Sequence, residues 1–193
     1  KEVTKICLLD DLMDRLDTLP DDNLAVAYCN KRDIPKKQYK NLYYVDDVRK
    51  VIQLSEKYKE CLKTEEPRLF IPFYDVDGSL VGATMRALRG EAKRYINIKI
   101  REDVPYIFGI LSVVKEKILY VCEGPFDSMF LDNAIAVGGT SFGKIKHLHN
   151  QFEKVVYIYD NQPYNKDVCK LFNKQIEQGD NVVIWPSNIE QKD

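Results

Sequence analysis

The 193-residue chain lacks several features that mark common protein classes. It has no run of about 18 apolar residues, the length that a membrane-spanning helix needs, so we expect no membrane contact. Its first residues, Lys-Glu-Val-Thr, do not form a signal-peptide pattern. It also has no internal repeat. These absences favour a cytoplasmic globular protein, and a hydrophobic content of 45% is enough for a core.

The five cysteines lack the spacing of a zinc or redox motif. They are Cys7, Cys29, Cys61, Cys122 and Cys169, and no Cys-x-x-Cys occurs. Each lies within an apolar run, so we expect reduced, buried thiols and no zinc in this chain.

The chain has no overall excess of one charge, because its formal net charge is -1. The charge is unevenly distributed, however. Residues 1–22 carry seven acids and three bases, whereas residues 84–101 carry six bases and one acid. An anionic partner is therefore expected to bind the second stretch.

Periodicity divides the chain into three segments. Residues 1–66 are predicted to be helical, with Asp21 or Asp22 capping a second helix and Asp46 or Asp47 capping a longer one that runs to Leu62. A predicted linker follows at 65–67. Residues 67–116 change to strand periodicity, with strands at 69–76, 80–88 and 95–100, and a tight turn at the Asp-Gly pair 77–78.

The third segment, 117–193, alternates strands and helices. Strands are predicted at 118–122, 134–137, 155–159 and 182–185, with helices starting at Pro125, near Phe142 and at Pro163, and Gly179 ending the last helix. This order predicts a parallel sheet flanked by helices. The fold class is therefore α/β, with a small antiparallel unit and a helical segment before the parallel sheet.

Three acids follow the strands of the third segment. Glu123 comes directly after the first strand, Asp127 lies four residues further on, and Asp160 ends the third strand. Carboxylates at adjacent strand ends repel one another unless a cation lies between them, and Mg²⁺ prefers such oxygens together with phosphates. The alternative is that these acids are solvated loop carboxylates or helix caps.

The motif Glu-Gly-Pro-Phe-Asp at 123–127, followed by Asp160 after a later strand, resembles the toprim domain of primases, topoisomerases and some nucleases. The resemblance implies metal binding by Glu123 and Asp160, and by Asp127 as a third candidate. Toprim domains carry Asp-x-Asp at the later strand, and Gln162 replaces the second aspartate here. Either Gln162 contributes an amide oxygen to a one-metal site, or Asp193 or a residue beyond it supplies the missing charge.

Four motifs before Glu123 narrow the resemblance to the RNA-polymerase core of DnaG-like primases, in the version found in large tailed phages. In order they are Arg-Leu-Phe-Ile-Pro at 68–72, Asp-Gly-Ser-Leu-Val-Gly at 77–82, Met-Arg-Ala-Leu at 85–88 and Lys-Arg-Tyr-Ile-Asn at 93–97. The resemblance implies a nucleotidyltransferase that makes short RNA primers on a single-stranded DNA template from ribonucleoside triphosphates. Mg²⁺ is the implied cofactor, and Mn²⁺ is a substitute.

The family also implies parts that this chain does not show. Such primases carry an N-terminal zinc-binding domain and a C-terminal region that contacts the replicative helicase, so we expect a catalytic-core fragment or a reduced relative, in host cytoplasm for a phage protein. A toprim nuclease and a catalytically decayed nucleic-acid-binding module remain as alternatives.

Arg86, Arg89, Lys93 and Arg94 are the candidate template and nucleotide contacts, since Arg86 and the Lys93–Arg94 pair match the family positions. The alternative is a solvated strand face. Tyr95 either stacks on a base or packs against the sheet. The glycines at 138–139 either approach phosphate or make a simple turn. Surface positions are expected for the two histidines, and a core position for Trp185.

Overall fold

The computed structural model describes residues 5–138 and 142–190, which fall into two compact units. Unit 1 ends at Tyr106 and unit 2 begins at Ile107, and each contains its own five-stranded sheet. The boundary thus lies ten residues before the predicted one at 116/117. The reason is that strand β6 (Ile107–Phe108) pairs within the sheet of unit 2.

Helices begin unit 1, although they are shorter than predicted. Helix α1 spans Lys5–Leu12 and α2 spans Leu24–Lys31, and 3-10 turns cover Leu16–Thr18, Lys36–Asn41, Val48–Gln53 and Glu56–Tyr58. Asn23, and not Asp21 or Asp22, caps α2, because its side-chain oxygen accepts the N–H of Ala25 at 2.9 Å. Asp47 caps the turn at 48–53 as one alternative predicted. The predicted long helix to Leu62 is wrong, because Ser55 is extended, with φ -163° and ψ 108°, and interrupts it.

The sheet of unit 1 is antiparallel throughout. Its strands, in both chain order and sheet order, are β1 (Asp14–Arg15), β2 (Tyr43–Val45), β3 (Arg68–Tyr74), β4 (Leu80–Ala87) and β5 (Tyr95–Lys99). The β3–β4 hairpin turns at Gly78, whose φ of +81° suits glycine, as the Asp-Gly signal predicted. The sequence did not predict β1 and β2, and β2 joins residues before 66 to β3, so the first two predicted segments share one sheet.

The sheet of unit 2 has the order β10-β9-β7-β8-β6. Here β7 is Leu119–Cys122, β8 is Ala134–Val137, β9 is Val155–Ile158 and β10 is Asn181–Val182. All neighbours pair in parallel except β6, which is antiparallel to β8. The predicted α/β class with a parallel sheet is confirmed, and β6 is an added antiparallel edge.

Three helical elements connect these strands: α3 (Pro125–Ser128), a 3-10 helix (Phe142–Gln151) and α4 (Lys166–Glu177). Helix α4 begins after Asn165 and not at Pro163, because the Asn165 side chain accepts the N–H of Asp167 at 3.1 Å. Gly179 follows α4 with φ +80°, as expected for a C-terminal stop. Within the described ranges, no helix has the length and apolar character needed to span a bilayer.

Three predicted core positions differ in the structure, because Cys61 is exposed and Cys169 and Trp185 are only partly buried. Cys29 and Cys122 are buried, but Cys61 is exposed because the segment around it is an irregular turn and not the buried face of a helix. The side chain of Cys7 lies outside the described part. Trp185 is only partly buried, because β10 ends at Val182 and the indole N–H donates to the carbonyl of Tyr159 at 2.7 Å.

Candidate functional site

The carboxyl ends of β7 and β9 bring two predicted acids together. These strands are parallel neighbours, with Cys122 opposite Ile158, so the residues that follow them lie at the same edge of the sheet. Oε1 of Glu123 accepts a hydrogen bond from the backbone N–H of Asp160 at 3.0 Å. Glu123 and Asp160 are therefore adjacent, as their strand-end positions predicted.

Asp127 lies one turn into α3 and interacts with the start of its own helix. Its Oδ2 accepts the N–H of Gly124 at 3.1 Å, which satisfies a backbone donor that the helix leaves without a partner. This is the helix-cap alternative from the sequence. A metal-binding role for Asp127 stays a prediction.

Gln162 contacts Asp160 through its nitrogen. Its Nε2 donates to Oδ2 of Asp160 at 3.0 Å, and its Oε1 accepts from Nδ2 of Asn165 at 2.9 Å. The residue that replaces the second aspartate of Asp-x-Asp thus stabilises the remaining carboxylate as a hydrogen-bond donor. Metal binding through its oxygen, which stays a prediction, requires the side-chain amide to turn over.

Negative charge is concentrated at this edge of the sheet. Burial raises the pKa of Cys122 to about 12, and the charges of Asp127 and Asp160 act in the same direction. Burial also raises the pKa of Tyr159 to about 12, with the charges of Glu123 and Asp180 adding to the effect. The charges of Glu123, Asp127 and Asp160 therefore raise the pKa of neighbouring groups in one small region.

The carboxylates fit a magnesium ion better than a metal that needs a full protein cage. Among residues 5–138 and 142–190, no three His, Cys, Asp or Glu side chains form a group that could hold a metal. Mg²⁺ usually takes one or two carboxylates and completes its shell with water and substrate phosphates. Glu123 and Asp160 supply two hard oxygen donors at fixed positions, which suits that mode. The glycine loop at 138–141 and Asp193 fall largely or wholly outside the described residues.

The predicted basic residues lie in unit 1, on β4 and on the turn that leads to β5. The turn is closed by a hydrogen bond from the N–H of Ala87 to the carbonyl of Arg94 at 3.0 Å. The buried guanidinium of Arg68 adds a second constraint, because its Nη1 donates to the carbonyl of Lys93 at 2.8 Å. The side chains of Arg89, Lys93 and Arg94 are exposed on this constrained turn.

Ion pairing separates the basic stretch into two groups. Lys99 pairs with Glu102, and Arg101 pairs with Asp75 and Asp103. In contrast, the four predicted contacts form no ion pair with any residue in the described ranges; they are Arg86, Arg89, Lys93 and Arg94. This group is therefore the surface on which an anion would meet uncompensated charge.

Arg86 also contacts two tyrosines. Its guanidinium carbon lies 4.7 Å from the ring centre of Tyr95 and 5.5 Å from that of Tyr28. The sequence had no signal for Tyr28, because its contact with Arg86 joins α2 to β4 across 58 residues of chain.

His147 is exposed as expected, whereas His149 is half-buried against the hydroxyl of Tyr157 and lies near Asp180, so its predicted surface position is wrong.

Comparison with known proteins identifies relatives for this arrangement. No protein-family model matches the chain. The chain is 32% identical over 173 residues to the DNA primase of Enterobacteria phage T4, an alignment that covers 89% of this chain and 49% of that protein. A DnaG primase catalytic domain bound to single-stranded DNA matches with a TM-score of 0.67 and 17% identity, covering 96% of this chain and 72% of that one. A DNA primase domain from Pseudomonas aeruginosa matches with a TM-score of 0.68 and 16% identity, covering 95% and 71%.

The resemblance to a DnaG-like phage primase core is confirmed. The sequence relation is to the phage primase, and the solved DnaG cores show that the fold is shared. The chain spans about half the length of the T4 primase.

Proposed function

We propose that this chain is a primase catalytic core, a nucleotidyltransferase that synthesises short RNA primers on single-stranded DNA from ribonucleoside triphosphates. The observation that carries the proposal is the adjacency of Glu123 and Asp160 at neighbouring parallel strand ends, in a chain related to a phage DNA primase. The likeness to a DnaG domain bound to single-stranded DNA supports the choice of template.

Glu123 and Asp160 would hold Mg²⁺, with Mn²⁺ as a substitute. When bound, the ion supplies neutralisation of triphosphate charge and activation of an attacking hydroxyl. The N–H of Asp160 holds the carboxylate of Glu123, and Nε2 of Gln162 holds that of Asp160. Both carboxylates are therefore positioned before a metal ion binds. Such positioning and electrostatic preorganisation can account for much of the rate of a phosphoryl transfer without a covalent intermediate.

The unpaired cations would bind phosphate. Arg86 and Arg94 offer planar guanidinium groups for two-point contacts, whereas Lys93 offers a single point charge. Template and triphosphate are the two sources of phosphate in this reaction. A replicative helicase is a further expected partner, and the cytoplasm of an infected cell is the expected location, in line with the phage origin of the relative.

A decayed, non-catalytic binding module is the second candidate. The observation that favours it is Gln162, which presents an amide nitrogen to Asp160 where toprim enzymes have a second carboxylate. This candidate predicts nucleic-acid binding that is indifferent to divalent metal.

Metal binding is the first test, because a chain that spans about half the length of its relative can lack activity for other reasons. Crystals soaked in Mn²⁺ are expected to give an anomalous peak beside Glu123 and Asp160. In Glu123→Gln the peak is expected to disappear and primer synthesis to stop, with the fold retained. Glu153→Gln, at an exposed glutamate of the same unit, is the matched control and should keep both. Retained primer synthesis in Glu123→Gln would refute the assignment, and metal-dependent cleavage of labelled DNA without nucleotides would indicate a nuclease.

A further inference from the structure

An arginine lies between two tyrosine rings in unit 1. Arg86 of β4 stands directly opposite Tyr95 of β5, so the two side chains share one face of the sheet. Tyr28 of α2 contacts the same guanidinium and is itself contacted by Arg32, whose Nη1 donates to the Tyr28 hydroxyl at 3.3 Å. The rings belong to elements far apart in the chain, so the fold brings them together.

This arrangement differs from an ordinary structural arginine. The buried Arg68 pairs with Glu66 and donates to a backbone carbonyl. Arg86, by contrast, forms no ion pair within the described ranges, and none of the residues there accepts a hydrogen bond from its buried Nε. Contacts with tyrosine faces compensate part of that cost. Among the described residues, the positive charge of Arg86 therefore has no negative partner within ion-pair distance.

The outer part of the cluster is open to solvent. Tyr95 is 45% exposed, and Lys93 and Arg94 immediately before it are exposed cations without ion pairs among the described residues. An exposed aromatic ring beside cations is the combination by which proteins bind single strands, because the ring stacks on a base while the cations neutralise phosphates.

We infer that the exposed ring of Tyr95, supported from behind by Arg86 and Tyr28, is a stacking platform for one unpaired base of single-stranded nucleic acid. The inference rests on the proposed function only in taking single-stranded DNA as the ligand. The guanidinium of Arg86 lies over the ring of Tyr95, so the ring is already oriented before a base binds. Every base has a π-face, so stacking on Tyr95 would bind the strand without sequence preference.

Stacking and charge can be separated by a binding experiment in EDTA, which removes any contribution of metal. The probes are a labelled oligothymidylate and an abasic oligomer of the same length, followed by fluorescence anisotropy over a range of salt concentrations. Tyr95→Leu is expected to weaken binding of the intact oligomer by about 5- to 150-fold. It should leave the abasic oligomer and the salt slope unchanged, and Tyr95→Phe should bind like the wild type.

Two further variants serve as controls. Arg89→Gln removes an exposed unpaired cation, so it should weaken both oligomers and lower the slope of log K against log salt by about 0.7. Tyr28→Leu removes the ring behind Arg86 and should lower the ratio of intact to abasic affinity with no change in slope. An unchanged ratio of intact to abasic affinity would show that Tyr28 does not contribute to stacking.

Each outcome bears on one of the two proposals. If Tyr95→Leu binds the intact oligomer as tightly as the wild type, or loses affinity for both oligomers equally, the platform is wrong while the proposed function stands. If the wild type binds neither oligomer, the template assignment fails as well. Because Tyr95 is an exposed residue, circular dichroism is expected to show the same fold in its variants.

Discussion

Removing one partner of the buried ion pair between Arg68 and Glu66 is expected to destabilise unit 1 strongly. The Arg68 side chain is 1% exposed and that of Glu66 is 17% exposed. Nε of Arg68 donates to Oε1 of Glu66 at 2.8 Å, and Nη1 donates to the carbonyl of Lys93 at 2.8 Å. Arg68→Met keeps most of the apolar volume but leaves a half-buried carboxylate and a carbonyl without their donor.

The expected loss follows from those two orphaned acceptors. Breaking a buried pair by removing one partner costs about 3–5 kcal/mol in the free energy of unfolding. That is a large part of the roughly 5–15 kcal/mol that stabilises a typical domain. Urea unfolding should be followed by far-UV circular dichroism, because the single tryptophan, Trp185, belongs to unit 2.

Arg15→Met is the matched control, because Arg15 also pairs with an acid two residues away. In that pair the side chains are 41% and 33% exposed, so the same substitution should cost no more than about 1 kcal/mol. Arg68→Lys should fall between the two, since an ammonium cannot reproduce the fork that reaches both Glu66 and Lys93. Equal losses in Arg68→Met and Arg15→Met would refute the reasoning.

Two other predictions concern the metal edge and the thiols. Gln162→Asp removes the donor to Asp160 and adds a like charge, so without Mg²⁺ it should lose about 1–4 kcal/mol of stability. Mg²⁺ should then raise its Tm by more than it raises that of the wild type, and equal gains would contradict the site. At pH 8, iodoacetamide should modify the exposed Cys61 but not Cys29, since burial raises the pKa of the Cys29 thiol to about 12. Peptide mass spectrometry checks this, and modification of native Cys29 would show that unit 1 opens there.

Local signals explain which parts of the fold were predictable. The β3–β4 hairpin has an Asp-Gly turn between two apolar runs, and β7 to β9 are separate apolar runs followed by helix starts. By contrast, β1 and β6 are two residues each, too short for any periodicity to show, and β10 (Asn181–Val182) keeps only Val182 of the strand predicted at 182–185. They become strands because a neighbouring strand offers them a hydrogen-bonding edge, which is tertiary information.

The burial of certain polar residues was the second feature that the sequence could not predict. Residues 65–67 are rich in acid and contain proline, which is typical of a linker, yet Glu66 is half-buried against Arg68. His149 was expected at the surface because the His-x-His pair at 147 and 149 has no third metal ligand nearby in sequence, yet it lies against Tyr157. In each case a specific partner compensates the cost of burial, and a partner on another element, such as Tyr157 of β9, cannot be read from composition.

The candidate site was predictable in position but not in the state of each side chain. Their positions after two strands of a predicted parallel sheet put Glu123 and Asp160 at the same edge, and the structure adds that these strands, β7 and β9, are neighbours. The sequence could not decide between metal ligand and helix cap for Asp127, since both roles need a carboxylate at the same turn of α3. The structure shows that Asp127 holds the N–H of Gly124 and that Gln162 holds Asp160. A site with two carboxylates, each fixed by a backbone or amide donor, can bind Mg²⁺ weakly on its own and tightly with a triphosphate, which would make metal binding depend on the substrate.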